Sequence, residues 1–105
     1  MKKSQCYIAC RGENKELIFK LTDSFVHIVT DPQGNSFNIH FHQVGTTWSA
    51  TEESTGVRCV PRYYNTRDEC QAAVVLFCSE YKRLLSSEWS IDLKKKLKEF
   101  KEQLI

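Results

Sequence analysis

Two histidines separated by one residue, His40-x-His42, form the sharpest chemistry-bearing pair in this 105-residue chain. On an extended strand residues two apart share a face, so both imidazoles can reach one ion, with His27 from a neighbouring strand as a third ligand. That set would suit a metal-dependent enzyme. No HExxH pattern or acidic partner accompanies it, and the same spacing also describes ordinary polar residues on the outer face of a strand.

A second cluster interleaves cations with aromatics: Arg58, Arg62, Tyr63, Tyr64 and Arg67. Such a surface can stack on bases while tracking phosphates, the chemistry of a single-stranded nucleic-acid binder. It carries no RNP, KH or helix-turn-helix signature. In the alternative reading the tyrosines cap the core and the arginines pair with Asp68 or Glu69.

A third set is acidic. No Lys or Arg occurs between Lys20 and Arg58, whereas Asp23, Asp31, Glu52 and Glu53 fall in that interval. Placed on loops and strand ends, these carboxylates could face a basic partner protein and steer its association. They could equally be solubilising loop charge. For nucleophilic catalysis the chain offers no Ser-His-Asp order, no nucleophile elbow and no glycine-rich phosphate loop, so no enzyme and no cofactor is expected.

The elements that must hold these residues follow from periodicity. Gln5–Arg11, Glu16–Leu21, Phe25–Thr30, Ser36–Gln43, Trp48–Glu53 and Val57–Arg62 alternate or run β-branched, with turn residues between them. Phe37, Ile39 and Phe41 are expected inward, and His40 and His42 outward. Pro61 puts the last strand at an edge. Thr66 and Glu69 form a capping box, after which Cys70, Ala73, Val74, Phe77, Cys78, Tyr81, Leu84 and Leu85 recur at helical steps, widened by Val75 and Leu76. A second amphipathic helix, about 88–103, carries Trp89, Leu93, Leu97, Phe100 and Leu104. The expected fold is therefore α+β: one domain over 1–105, an antiparallel β-meander of five or six strands (about 5–62) covered by a long helix (about 66–86), plus the second helix.

Composition sets outer limits. The chain is 41% hydrophobic with a formal net charge of +2, a globular balance too mild to imply nucleic-acid or membrane binding by itself. Five cysteines leave at least one unpaired, no CxxC pair occurs, and the opening MKKSQCYIACRGENK lacks the apolar run of a secretory leader. A reduced, cytoplasmic setting is expected, with the thiols as core packing.

The segment WSATEESTGVRCVPRYYNTRDEC resembles a layout of small phage and plasmid accessory proteins. Its carriers are Trp48, Thr51, Thr55-Gly56 and Thr66-Arg67-Asp68, about a quarter of the chain. The resemblance implies an anti-CRISPR or other anti-defence inhibitor that occupies a host protein, for instance a nucleic-acid-binding effector, rather than catalysing a reaction. It transfers no functional residue. The expectation is thus a non-enzymatic binding module, monomeric or homodimeric. The alternatives are a nucleic-acid binder using the arginines and tyrosines, and a metal-dependent enzyme using His40 and His42.

Overall fold

The computed structural model describes residues 1–104; Ile105, the last residue of the expected domain, lies outside them. Four antiparallel strands, β1 (Lys2–Arg11), β2 (Leu17–Thr30), β3 (Ser36–Val44) and β4 (Thr47–Glu52), form one sheet in the order β1-β2-β3-β4. Helices α1 (Arg67–Phe77), α2 (Tyr81–Leu85) and α3 (Glu88–Gln103) follow.

The meander thus has four strands, not five or six. Glu16–Leu21 and Phe25–Thr30 are one strand, because Thr22-Asp23-Ser24 stays paired: Gln5 lies opposite Asp23 and Ser4 opposite Ser24. The run Val57–Arg62 makes no strand. It follows the outer edge of β4 through single bridges, Thr51 with Arg58 and Trp48 with Tyr64, and Pro61 has no N–H to continue a ladder. The long helix also divides, since a 3₁₀ turn at Cys78–Glu80 separates α1 from α2. Thr66 Oγ1 caps α1 by accepting from Glu69 N at 3.1 Å, while the Glu69 carboxylate makes no return bond among the described residues.

Two layers result. On one face of the sheet, Ile39, Phe41 and Ala50 pack with Cys70, Val74 and Tyr81 from the helices. Burying each large apolar side chain there contributes on the order of 1.5–3 kcal/mol. Helix α3 covers the β1 end instead, where Phe100 meets Tyr7 edge-on and Phe19 at a tilt, both at 5.4 Å between ring centroids.

β2 changes partner along its length. It pairs with β3 only from Phe25 to Thr30 and with β1 from Leu17 to Val26. The sheet curls at this point, so β1 lies near β3 as well as β2. Ala9 N donates to Gly56 O at 2.9 Å, tying β1 to the loop after β4. Gly56 has φ +75°, and a Cβ there would meet Ala9 N and Tyr7 O at 2.9 Å, so glycine is required on both counts.

Candidate functional site

The curl buries the second face of the sheet, and that face is polar. Ser24, His40, His42, Ser49 and Thr51 are all buried on it. His40 and His42, expected outward, are 0% and 3% exposed. Alternation placed them on the face opposite Phe41 correctly; it could not register that β1 curls over that face.

Most of these polar groups find partners, as burial demands. His40 Nδ1 lies 2.8 Å from Ser24 Oγ, and His40 Nε2 lies 2.9 Å from Glu53 Oε1. Asn38 Nδ2 donates to the other Glu53 oxygen at 2.9 Å. Burial opposes ionisation of Glu53, but the hydrogen bonds from His40 and Asn38, with the charges of His40 and Lys101, hold its carboxyl below the usual range. His42 Nε2 lies 2.8 Å from Thr51 Oγ1, while its buried Nδ1 has no hydrogen-bond partner among the described residues. Burial lowers the His42 pKa below the usual imidazole value, the Gln43 main chain opposing that shift and the His40 charge adding to it.

Ser24 and His42 line a cleft of about 530 Å³ together with Lys3, Thr22, Phe25 and Trp48. It opens where β2 and β3 part company. Ladder pairing ends at Phe25 opposite Phe41, yet β3 runs on to Val44 and β2 runs back to Leu17. Alternation of an antiparallel ladder then leaves the main-chain groups of Asp23 and Gln43 facing the gap without ladder partners.

The histidine set does not form a metal centre. His27 is exposed and shares a face with Ile39, opposite the side that carries His40 and His42. No group of three or more His, Cys, Asp or Glu among the described residues could hold an ion.

The acidic interval is taken up mainly by structure. Asp31 is buried and accepts from Gln33 N and Asn35 N, both at 2.9 Å, within the turn before β3. Burial opposes its ionisation, but the bonds from Asn35 and Gln33 and the Lys82 charge prevail and hold its carboxyl low. Glu52, also buried, accepts from Ser54 N and Oγ at 2.7 Å and from Thr55 N and Oγ1 at 3.1 and 2.9 Å. Neither carboxylate is presented to a partner. Asp23 is exposed and accepts from Gln5 at 3.1 Å, and Glu53 belongs to the His40 chain. The four do not form one acidic surface.

The arginines stack on rings of their own chain: Arg58 over Tyr63 at 5.2 Å, Arg62 over Tyr64 at 5.1 Å and Arg67 over Phe25 at 4.8 Å. Tyr64 is buried, so of the two tyrosines only Tyr63 shows its ring to solvent. Beside them runs a mainly apolar groove of about 470 Å³, lined by Val60, Pro61, Phe77, Tyr81 and Leu84 together with Arg58, Glu80 and Arg83. A neighbouring hollow continues it past Pro61 and Phe77 to Leu76 and Arg62. Leu76 and Val75, expected to be covered, are 72% and 63% exposed, because the helix buries only the stripe through Cys70, Ala73 and Val74.

No family model, curated protein or solved structure matches this chain. No helix among the described residues is long and apolar enough to cross a membrane.

Proposed function

We propose that this chain is a binding module that docks a partner protein in the groove between the 58–64 segment and helices α1–α2. One observation carries the reading: Leu76, Phe77 and Leu84 are all left exposed along one apolar groove and the hollow that continues it. Scattered exposed apolar residues are ordinary, whereas a contiguous set beside a groove marks an interaction site. At the rim Arg83 is paired with Glu80 at 2.7 Å, which leaves Arg58 and Arg62 as the cations that favour a partner with apolar anchors flanked by Asp or Glu. Docking of this kind needs neither cofactor nor chemistry. It suits the inhibitor-like role, blocking a host protein by occupying it, that the resemblance to phage accessory proteins implies.

Displayed peptide libraries test the reading. Wild-type protein should enrich peptides with aliphatic or aromatic anchors next to acidic residues, with binding weakened by salt. Leu76→Asp combined with Leu84→Asp should abolish that enrichment while the melt stays cooperative, lowered because Leu84 is only 36% exposed. Equal enrichment by the double variant overturns the groove. Retention of single-stranded oligonucleotides in place of peptides favours the arginine–tyrosine surface as a nucleic-acid site.

A further inference from the structure

We propose that Ser24 is an acyl-accepting nucleophile, activated by His40 and Glu53, in the cleft where β2 leaves β3. The site is separate from the apolar groove and does not depend on it. Three parts of an acyl-transfer centre are in place. Ser24 Oγ and His40 Nδ1 are 2.8 Å apart, His40 Nε2 and Glu53 Oε1 are 2.9 Å apart, and Ser24 lines an open cleft of about 530 Å³.

Proton bookkeeping fixes the roles. An ionised carboxylate only accepts, so Glu53 requires the hydrogen of His40 to sit on Nε2. In the neutral ring Nδ1 then has a lone pair, and the Ser24 hydroxyl donates to it. Nucleophile, base and orienting carboxylate are thereby in sequence, with the two ring nitrogens exchanged relative to the chymotrypsin arrangement; such a constellation is defined by geometry and roles. The neighbouring thiol does not compete. Burial pushes Cys6 up to about 11, a hydrogen bond with Ser24 acting against that shift and the Glu53 charge reinforcing it.

The cleft also indicates the substrate class. Phe25, Phe41 and Trp48 line its apolar side, and Asp23 and Gln43, which lie beyond the last β2–β3 ladder pair, line it too, so their main-chain N–H groups are the candidate donors for a developing oxyanion. A carboxylic ester with a small apolar acyl part fits these surroundings. Ser24 Oγ bonds to the carbonyl carbon while its proton moves to His40 Nδ1. The carbon–alkoxy bond then breaks and the alcohol leaves with that proton. Water repeats the route, its proton passing through His40 Nδ1 back to Ser24 Oγ as the carboxylic acid departs.

A fluorophosphonate tests this without a substrate in hand, because the serine–phosphorus bond it forms, with loss of fluoride, survives mass spectrometry. Incubation of folded wild-type protein should give one adduct, mapped to the peptide containing Ser24, and p-nitrophenyl acetate should be hydrolysed faster than in buffer. Ser24→Ala should lose the adduct. His40→Gln should label about 100-fold more slowly, the lower end of a positioned base's contribution. Should His40→Gln fail to fold, Glu53→Gln, altered at the exposed end of the chain, should still label at least about 10-fold more slowly. No adduct at Ser24 in folded wild-type protein overturns the proposal, as does an unchanged labelling rate in a folded His40→Gln or Glu53→Gln variant.

Discussion

Glu53 reaches 2.9 Å from His40 Nε2 with its own side chain 45% exposed, while the imidazole it meets is 0% exposed. The pair thus joins solvent to the most enclosed polar group of the sheet. An exposed carboxylate tolerates ionisation readily, whereas a buried ring needs a partner at each nitrogen. Ser24 and Glu53 meet that need from opposite sides.

Acid should act first on His42. Its folded-state pKa lies below the ordinary value of 6.5, so the unfolded chain takes up a proton before the folded one does. Stability is full above pH 6.5 and falls as pH drops from there toward the depressed folded-state value. For one proton the slope is at most about 1.4 kcal/mol per pH unit. Glu53 acts lower down: its depressed pKa gives stability that is present above 4.5 and lost as pH falls through the folded-state value. Urea midpoints measured between pH 7 and 5 should flatten in His42→Asn.

The turn after β4 rests on one buried carboxylate. Glu52 takes all four bonds from Ser54 and Thr55, and Gly56, next along, binds Ala9 across the curl. Charge-assisted bonds contribute more than neutral ones, so Glu52→Ala should cost roughly 2–4 kcal/mol in denaturant titrations. Gly56→Ala should cost about 1–3 kcal/mol through its positive φ and the close main chain of Ala9 and Tyr7. Loss below 0.5 kcal/mol in both variants would show that the loop does not close the sheet.

How far the fold could be read depended on how local its cause was. Alternation assigned Ile39 and Phe41 to the core, and periodicity assigned Cys70, Ala73, Val74 and Tyr81 to it, because each signal is local. The cap at Thr66 and the turn at Asp31 were legible for the same reason. The merger of two expected strands into β2 was not, since the polar run Thr22-Asp23-Ser24 is held extended by pairing with Gln5 and Ser4, 18 and 20 residues away in sequence. The relay was hidden likewise. Ser24, His40 and Glu53 lie on three different segments, and only the curl of β1 toward β3 turns a hydrophilic strand face into an interior. Glu52 looked like loop charge because nothing local distinguishes a carboxylate that faces solvent from one that binds its own turn.

Thiol reactivity should separate Cys10 from the other four. All five are free, and Cys10 is the one that is not buried. Burial lifts Cys59 up to about 12, with the Tyr81 hydrogen bond opposing, and burial alone lifts Cys70 to about 11. Thiolate is the reacting species, so these groups are slow through both access and ionisation. Native protein should consume one equivalent of Ellman's reagent promptly at pH 8 and the remaining four only after denaturation. Two or more fast equivalents would contradict the burial of Cys6, Cys59, Cys70 or Cys78.

Helix α1 offers the sharpest contrast between adjacent positions. Periodicity alone makes Phe77 a core residue whose change to Asp unfolds the protein, but Phe77 is 36% exposed and walls the groove, whereas Val74 is fully enclosed. A carboxylate at 74 would sit unpaired among Ile39, Phe41 and Tyr81, a burial the domain cannot offset within a total stability of about 5–15 kcal/mol. At 76 the side chain already faces water, and surface changes cost within about 0.5 kcal/mol. Val74→Asp should therefore show no cooperative melt, Leu76→Asp a near wild-type one, and Phe77→Asp a lowered but cooperative one. Complete unfolding by Phe77→Asp would mean that the groove wall belongs to the core, and the docking face would lose its main apolar anchor. A cooperative Phe77→Asp that no longer binds the peptides selected by wild-type protein would tie the groove to recognition rather than folding.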